Sequence, residues 1–281
     1  MLSDNPRSML RSYVFWKKQY DHRPEKNIFG GFVFPTDPYD KWQEVMESKG
    51  VCPICGGGKT FDNPERVYCM CFMVQWLHEK RARTNGLEAR IMPARLADLK
   101  SLPKPVNGES GSEELKYLKK ELSAWIVDPK SWFLISGGTG SGKTHVLRAI
   151  KTYFQTMAFY ISAESFQGNL FQALNGSLYG MNVQDLLNEL VGAPILLFDD
   201  LGIEHSNAFF TDSLAAVINR RYNAGPENFP VVMTTNLAVS KLVTSTDLAL
   251  QRIGSRMADE QFSIIAKLKQ PDYRLSTTKK G

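Results

Sequence analysis

The stretch Gly137-Gly138-Thr139-Gly140-Ser141-Gly142-Lys143-Thr144 constrains the fold of this 281-residue chain more than any other. It satisfies G-x-x-x-x-G-K-[ST], follows the apolar run Trp132-Phe133-Leu134-Ile135, and precedes a helical pattern. In that context the glycines let the backbone curl so that successive N–H groups point at one anion. Lys143 adds a positive charge at the outer phosphates of a nucleotide, and the Thr144 hydroxyl is placed to ligate Mg²⁺. A bare glycine-rich turn explains neither the lysine nor the strand and helix on either side. The loop reads as a nucleoside triphosphate site, with ATP and Mg²⁺ as its expected ligands.

Three further elements narrow the chemistry. Asp199 lies 56 residues beyond Lys143, at the end of the apolar run Ile195-Leu196-Leu197-Phe198, and Asp200 follows it. A carboxylate at the end of a neighbouring strand suits the Mg²⁺ shell, which is the role expected of Asp199. Asp200 is expected to orient or deprotonate an attacking water. Val231-Val232-Met233-Thr234-Thr235-Asn236 is a second apolar strand, ending in an amide. Asn236 is expected to sit between Asp199 and the phosphate loop and bond the terminal phosphate or the water. Gln251-Arg252-Ile253-Gly254-Ser255-Arg256-Met257 supplies two arginines. Arginine suits the charge that develops in phosphoryl transfer, and a surface salt bridge is the plainer reading of each.

Around these elements short apolar runs alternate with helical ones. Strands are expected at 132–136, 158–162, 195–199, 231–235 and 262–268, with helices near 143–157, 164–174, 182–191, 206–223 and 247–257. That alternation implies an α/β fold with a parallel sheet covered by helices. Upstream, short helices are expected at 9–20 and 41–49, a longer one over 73–90, and another from an N-cap at Ser112 to about Ile126. Pro103, Pro105, Gly108 and Gly111 mark a connection before it. The expected organisation is an N-terminal module over 1–84, a linker over 85–111 and an ATPase domain over 112–281.

Of the formal charge of +5, +4 falls in residues 1–100, which permits nucleic-acid contact without demanding it. Met1 to Tyr20 carries Asp4, Arg7, Arg11, Lys17 and Lys18, so no secretory leader is expected there, and no apolar run is long enough to span a bilayer. The chain reads as cytoplasmic. All four cysteines lie within 52–71, as Cys52-x-x-Cys55 and Cys69-x-Cys71. In a reducing compartment this clustering favours metal over disulfides. Four thiolates complete a tetrahedron around Zn²⁺ and leave no open position, so the expected role is structural. His78 replacing one thiol, free structural cysteines and redox chemistry are the alternatives.

Gly142-Lys143-Thr144-His145, Asp199-Asp200-Leu201-Gly202, Asn219-Arg220-Arg221-Tyr222, Thr235-Asn236-Leu237 and Arg252-x-x-x-Arg256-Met257 together resemble the DnaC/IstB-like branch of AAA+ ATPases over residues 85–275. Pro271-Asp272-Tyr273-Arg274 is similar to the end of such domains. The resemblance implies an AAA+ phosphate-loop fold, with Lys143 and Thr144 as the phosphate and Mg²⁺ residues and Asp199–Asp200 as the Walker B pair. It implies Asn236 as the sensor-1 residue and Arg256, or failing it Arg252, as an arginine finger acting on a neighbouring subunit. Only 24 residues follow Met257, too few for a helical lid, and this branch lacks one. Cysteine clusters precede the ATPase domain in some similar loaders. The implied function is that of a helicase loader that binds a replicative helicase and single-stranded DNA and forms an ATP-dependent homo-oligomer. The alternatives are a transposition ATPase that coats duplex DNA and recruits a transposase, and a nucleotide-switched nucleic-acid-binding zinc protein with little turnover.

Overall fold

A computed structural model describes residues 6–22, 52, 56, 58, 67–88, 92–94, 112–202 and 207–269. The helix expected at 41–49, the connection before Ser112, Cys55 and the segment 271–274 lie outside them. The chain divides into two compact units, Met1–Asn85 with Gln155–Met157, and Gly86–Phe154 with Ala158–Gly281.

In the first unit, helix α1 (Pro6–His22) packs against α2 (Met70–Thr84). Met9, Leu10, Tyr13 and Trp16 of α1 are buried, as are Phe72, Met73 and Trp76 of α2. Ser12 Oγ accepts from the Tyr68 backbone N–H at 2.8 Å, and Trp16 Nε1 donates to the Tyr68 carbonyl at 2.8 Å. These bonds tie the chain just ahead of α2 to α1. The helix expected over 73–90 begins and ends earlier, with Cys69 as its N-cap and Asn85 as its C-cap.

The second unit is an α/β sandwich. Its elements run α3 (Ser112–Val127), β1 (Trp132–Gly137), α4 (Lys143–Phe154), β2 (Ala158–Ser162), α5 (Ala163–Leu174), α6 (Val183–Val191), β3 (Ile195–Leu201), α7 (Ala208–Asn223), β4 (Val231–Thr235), α8 (Val239–Val243), α9 (Leu248–Met257) and β5 (Ser263–Leu268). The short helix α8 is one that the hydrophobic pattern does not announce. The sheet order is β2-β3-β4-β1-β5, and all four pairings are parallel. A parallel sheet covered on both faces needs apolar side chains on both, which is why β1 and β4 are buried along nearly their whole length. This is the α/β architecture of the AAA+ phosphate-loop fold.

Helix starts are set by local chemistry. Ser162, Asn182, Asn207 and Asp247 each accept a backbone N–H from the first turn that follows, at the starts of α5, α6, α7 and α9. At Asn182 the bond is reciprocated by Asp185, a capping box. Edge strand β2 is protected by Glu88, whose carboxylate accepts from the Tyr160 backbone N–H at 2.8 Å and from Lys151 Nζ at 2.6 Å.

Arg221 of α7 is fully buried, and its two terminal nitrogens donate to the carbonyls of Leu190, Val191, Ala193 and Pro230 at 2.7–3.0 Å. It joins the end of α6 to the entries of β3 and β4. Burial pushes its guanidinium down to about 9, which leaves it charged at neutral pH. We expect Arg221→Leu to lower unfolding free energy by about 2–4 kcal/mol in a denaturant titration, because four buried carbonyls lose their donor.

Candidate functional site

Parallel strands present their carboxyl ends at one edge of the sheet, and the sheet order sets which residues meet there. Because β4 lies between β1 and β3, Asn236 stands between the phosphate loop after β1 and the aspartates of β3. The loop itself depends on glycine at defined points. Gly140 and Gly142 have φ of +72° and +99°, and a Cβ on Gly137 would lie 2.5 Å from the Leu268 carbonyl of β5. Lys143, at the start of α4, is buried, and its ammonium donates to Gly137 O and Gly138 O at 2.9 Å and to Asn236 Oδ1 at 2.7 Å. Thr144 follows in the first turn of α4, half-exposed.

The aspartate pair sits in an irregularity of the sheet. Phe198 pairs with Met233 and Leu201 with Thr235, so Asp199 and Asp200 together oppose the single residue Thr234. This is a β-bulge. Asp200 has φ of +61°, a left-handed conformation that Asp and Asn tolerate better than most side chains. In a regular strand, neighbouring side chains point to opposite faces. Here the bulge turns Asp200 outward, where its Oδ1 accepts from Asn236 Nδ2 at 2.8 Å. Asn236 thus bonds the lysine with its oxygen and the aspartate with its nitrogen.

Asp199 is buried, and each carboxylate oxygen has a donor. Thr234 Oγ1 donates to Oδ1 and in turn accepts from the Asp200 backbone N–H at 2.8 Å. Tyr160 of β2 donates its hydroxyl to Oδ2 at 2.8 Å. Burial, then the neighbouring Asp199 charge, pushes the Tyr160 phenol well above its ordinary range, so it remains a donor. An ionised carboxylate has about four lone-pair sites, so two such bonds leave capacity to accept from the waters that Mg²⁺ characteristically keeps. The donor set therefore fits Mg²⁺, with Thr144 and Asp199 as the residues that would hold it.

The site brings Lys143, Asp199, Asp200 and Asn236 together. Arg252 and Arg256 do not join that network among the described residues. They lie on α9, where with Val243, Gln251 and Ser255 they line a shallow cavity of about 340 Å³. Tyr160 and Thr234 escape the sequence reading because each is a polar residue inside a strand that otherwise scores as core. Their partner is fixed only by strand pairing.

In the first unit, the Sγ atoms of Cys52, Cys69 and Cys71 all lie within 4.8 Å of one another, and all three residues are buried. Cys52 and Cys69 sulfurs are 3.7 Å apart. That is the edge of a tetrahedron of thiolates about 2.3 Å from one metal, roughly 3.8 Å, and far longer than a disulfide. Gly56, with φ of +57°, donates its N–H to the Cys52 carbonyl at 2.9 Å and closes the turn after the first cysteine. Cys69 and Cys71 sit at the N-terminus of α2, where thiolates are favoured. The three thiols fit zinc. His78 is exposed on α2.

The bacterial DnaA ATPase domain family matches residues 115–256, which is just over half of the chain. The chain belongs to this family. It is therefore a member of the replication-initiation AAA+ proteins. Among curated proteins, the chromosomal replication initiator DnaA of Microcystis aeruginosa is 25% identical over 143 residues, covering 49% of this chain and 29% of that protein. The chain thus spans less than a third of the length of the curated relatives it matches. Among solved structures, domain III of Thermotoga maritima DnaA is 20% identical, with coverage of 64% of this chain and 72% of that one and a TM-score of 0.45. The crystal structure of the DnaC helicase loader is 19% identical, with coverage of 63% and 97% and a TM-score of 0.44.

The bulge yields a test independent of catalysis. Asp200→Asn should leave the thermal midpoint within about 2 °C, since Asn adopts positive φ readily. Asp200→Val should destabilise the fold by about 1–2 kcal/mol in the same melting experiment, because a β-branched side chain is strained there.

Proposed function

We propose that this protein binds and hydrolyses ATP as a helicase loader of the AAA+ replication-initiation class, gripping a replicative helicase with its N-terminal unit and single-stranded DNA with its assembled ATPase domains. The observation that carries the reading is Asn236, which links the ammonium of Lys143 to the carboxylate of Asp200. One side chain thereby senses both the phosphate end and the water end of the reaction.

In this reading the backbone N–H groups of Gly138 to Thr144 and the Lys143 ammonium hold the phosphates. Mg²⁺, when bound, neutralises charge that develops on the phosphoryl oxygens. Asp199, fixed from both sides by Tyr160 and Thr234, would hold that ion together with Thr144. Asp200, exposed on the bulge, accepts the proton of the attacking water, and Asn236 positions that water against the terminal phosphate. A second cation opposite Lys143 is supplied by Arg256 of a neighbouring copy, so turnover depends on assembly. The cysteine cluster holds a structural zinc that stabilises a unit with a small apolar core, and the preference for a loader over a transposition ATPase rests on this module.

Two experiments test the parts. Lys143→Ala should lose ATP binding in a fluorescent-nucleotide titration while its melting curve stays cooperative, and Asp200→Asn should bind ATP with turnover reduced by about 10²–10⁴. Normal affinity in the first or normal turnover in the second removes the assignment. Metal analysis of protein purified without chelator should give about one zinc per chain, and Cys69→Ser should lose it while retaining ATP binding. For the partner, the full chain should retain a replicative hexameric helicase in a pull-down. Retention of a transposase instead moves the protein to the alternative branch.

A further inference from the structure

The Arg256 guanidinium does not hang free in solvent. Its Cζ lies 4.2 Å from the centroid of the Tyr222 ring, a cation–π contact between the last turns of α9 and α7. The ring is itself held on its other sides. Its hydroxyl donates to Asp259 Oδ2 at 2.6 Å. The rings of Trp132 and Phe262 meet it at 78° and 88°, with centroids 6.0 and 5.9 Å away. Those supports are anchored in turn. Trp132 Nε1 donates to Phe229 O at 2.9 Å, and Asp259 closes the turn into β5 through its carbonyl, which accepts from Phe262 and Ser263. The hydrogen bond to Asp259 also raises the Tyr222 phenol above its ordinary range, so the hydroxyl stays a donor.

A ring braced by a carboxylate and two aromatic edges is a rigid shelf. An arginine carries several rotatable bonds, and most of its conformers point a guanidinium nowhere useful. Stacking on a fixed ring restricts those conformers, beside the shallow cavity that Arg252, Ser255 and Arg256 itself line. Nothing in the first-unit chemistry or the phosphate site requires an aromatic face at this position.

We propose that Tyr222 is a positioning residue that holds Arg256 extended, so that it reaches the terminal phosphate bound by a neighbouring copy. The inference rests on the shared-site reading above and adds the residue that makes the finger competent before the copies meet.

The test uses the full chain and five variants, two of them mixed. Arg256→Ala sets the baseline, with ATP bound normally and turnover reduced by about 10³-fold or more. Tyr222→Leu should bind ATP within about twofold of the parent and lose at least about tenfold in turnover, while Tyr222→Phe, which keeps the face, should stay within about threefold. Mixing Tyr222→Leu with Lys143→Ala should restore activity, because sites then pair an intact phosphate loop with an intact, shelved Arg256. The double variant Tyr222→Leu/Arg256→Ala should be no slower than Arg256→Ala alone. If Tyr222→Leu fails to fold, Tyr222→Met replaces it in every arm. Parental or faster turnover in the ring-less variant overturns the inference, as does a loss that mixing cannot restore when it does restore Arg256→Ala. A Tyr222→Phe variant as slow as Tyr222→Leu overturns it too. If Arg256→Ala itself turns over normally, the shared-site reading falls, and this inference with it.

Discussion

The contact on which the site depends is the amide of Asn236, set between Lys143 and Asp200. A buried ammonium and a nearby carboxylate would otherwise attract each other directly or be separately solvated. A planar amide offers an acceptor to the first and a donor to the second, in fixed relative geometry. Its position requires β4 to lie between β1 and β3. Strand order, bulge and phosphate loop are all organised around that requirement.

The bulge resolves a geometric conflict. Two adjacent aspartates on a regular strand would point to opposite faces, one toward core and one toward solvent. Here Asp199 points inward to Tyr160 and Thr234, and Asp200 leaves the strand by its positive φ to meet Asn236. The same carboxylate chemistry thus appears in two environments one residue apart. One is buried and hydrogen-bonded through both oxygens, and the other is exposed and accepts from the Asn236 amide.

Outside the sheet, order is carried by a few satisfied polar groups. Glu88 covers the β2 edge, Arg221 gathers the carbonyls at the sheet's other end, and Tyr222 offers a braced face to Arg256. In the first unit, three buried thiols lie within 4.8 Å of one another, two of them, Cys69 and Cys71, at the start of α2. The Glu88 carboxylate and the terminal nitrogens of Arg221 are polar groups kept because their hydrogen-bond partners are in place.

The phosphate loop, the strand carrying Asp199 and Asp200, the alternation that makes a parallel sheet, and the clustering of the cysteines were all legible in the sequence. Their signals are local: a spacing, a glycine at a turn, an apolar run ending in a charge. Strand boundaries came within a residue or two for the same reason, although β3 runs on to Leu201 because the bulge continues its pairing. What the tertiary structure alone decided is who meets whom across the sheet. Tyr160 and Thr234 look like core residues until pairing puts both against Asp199. The contacts of Tyr222 appear only once α9 brings Arg256 to its face and the turn after α9 brings Asp259 to its hydroxyl. Those contacts join residues 34 or more positions apart, and no local pattern encodes them, because strand order and register are properties of the packed sheet and not of any one segment.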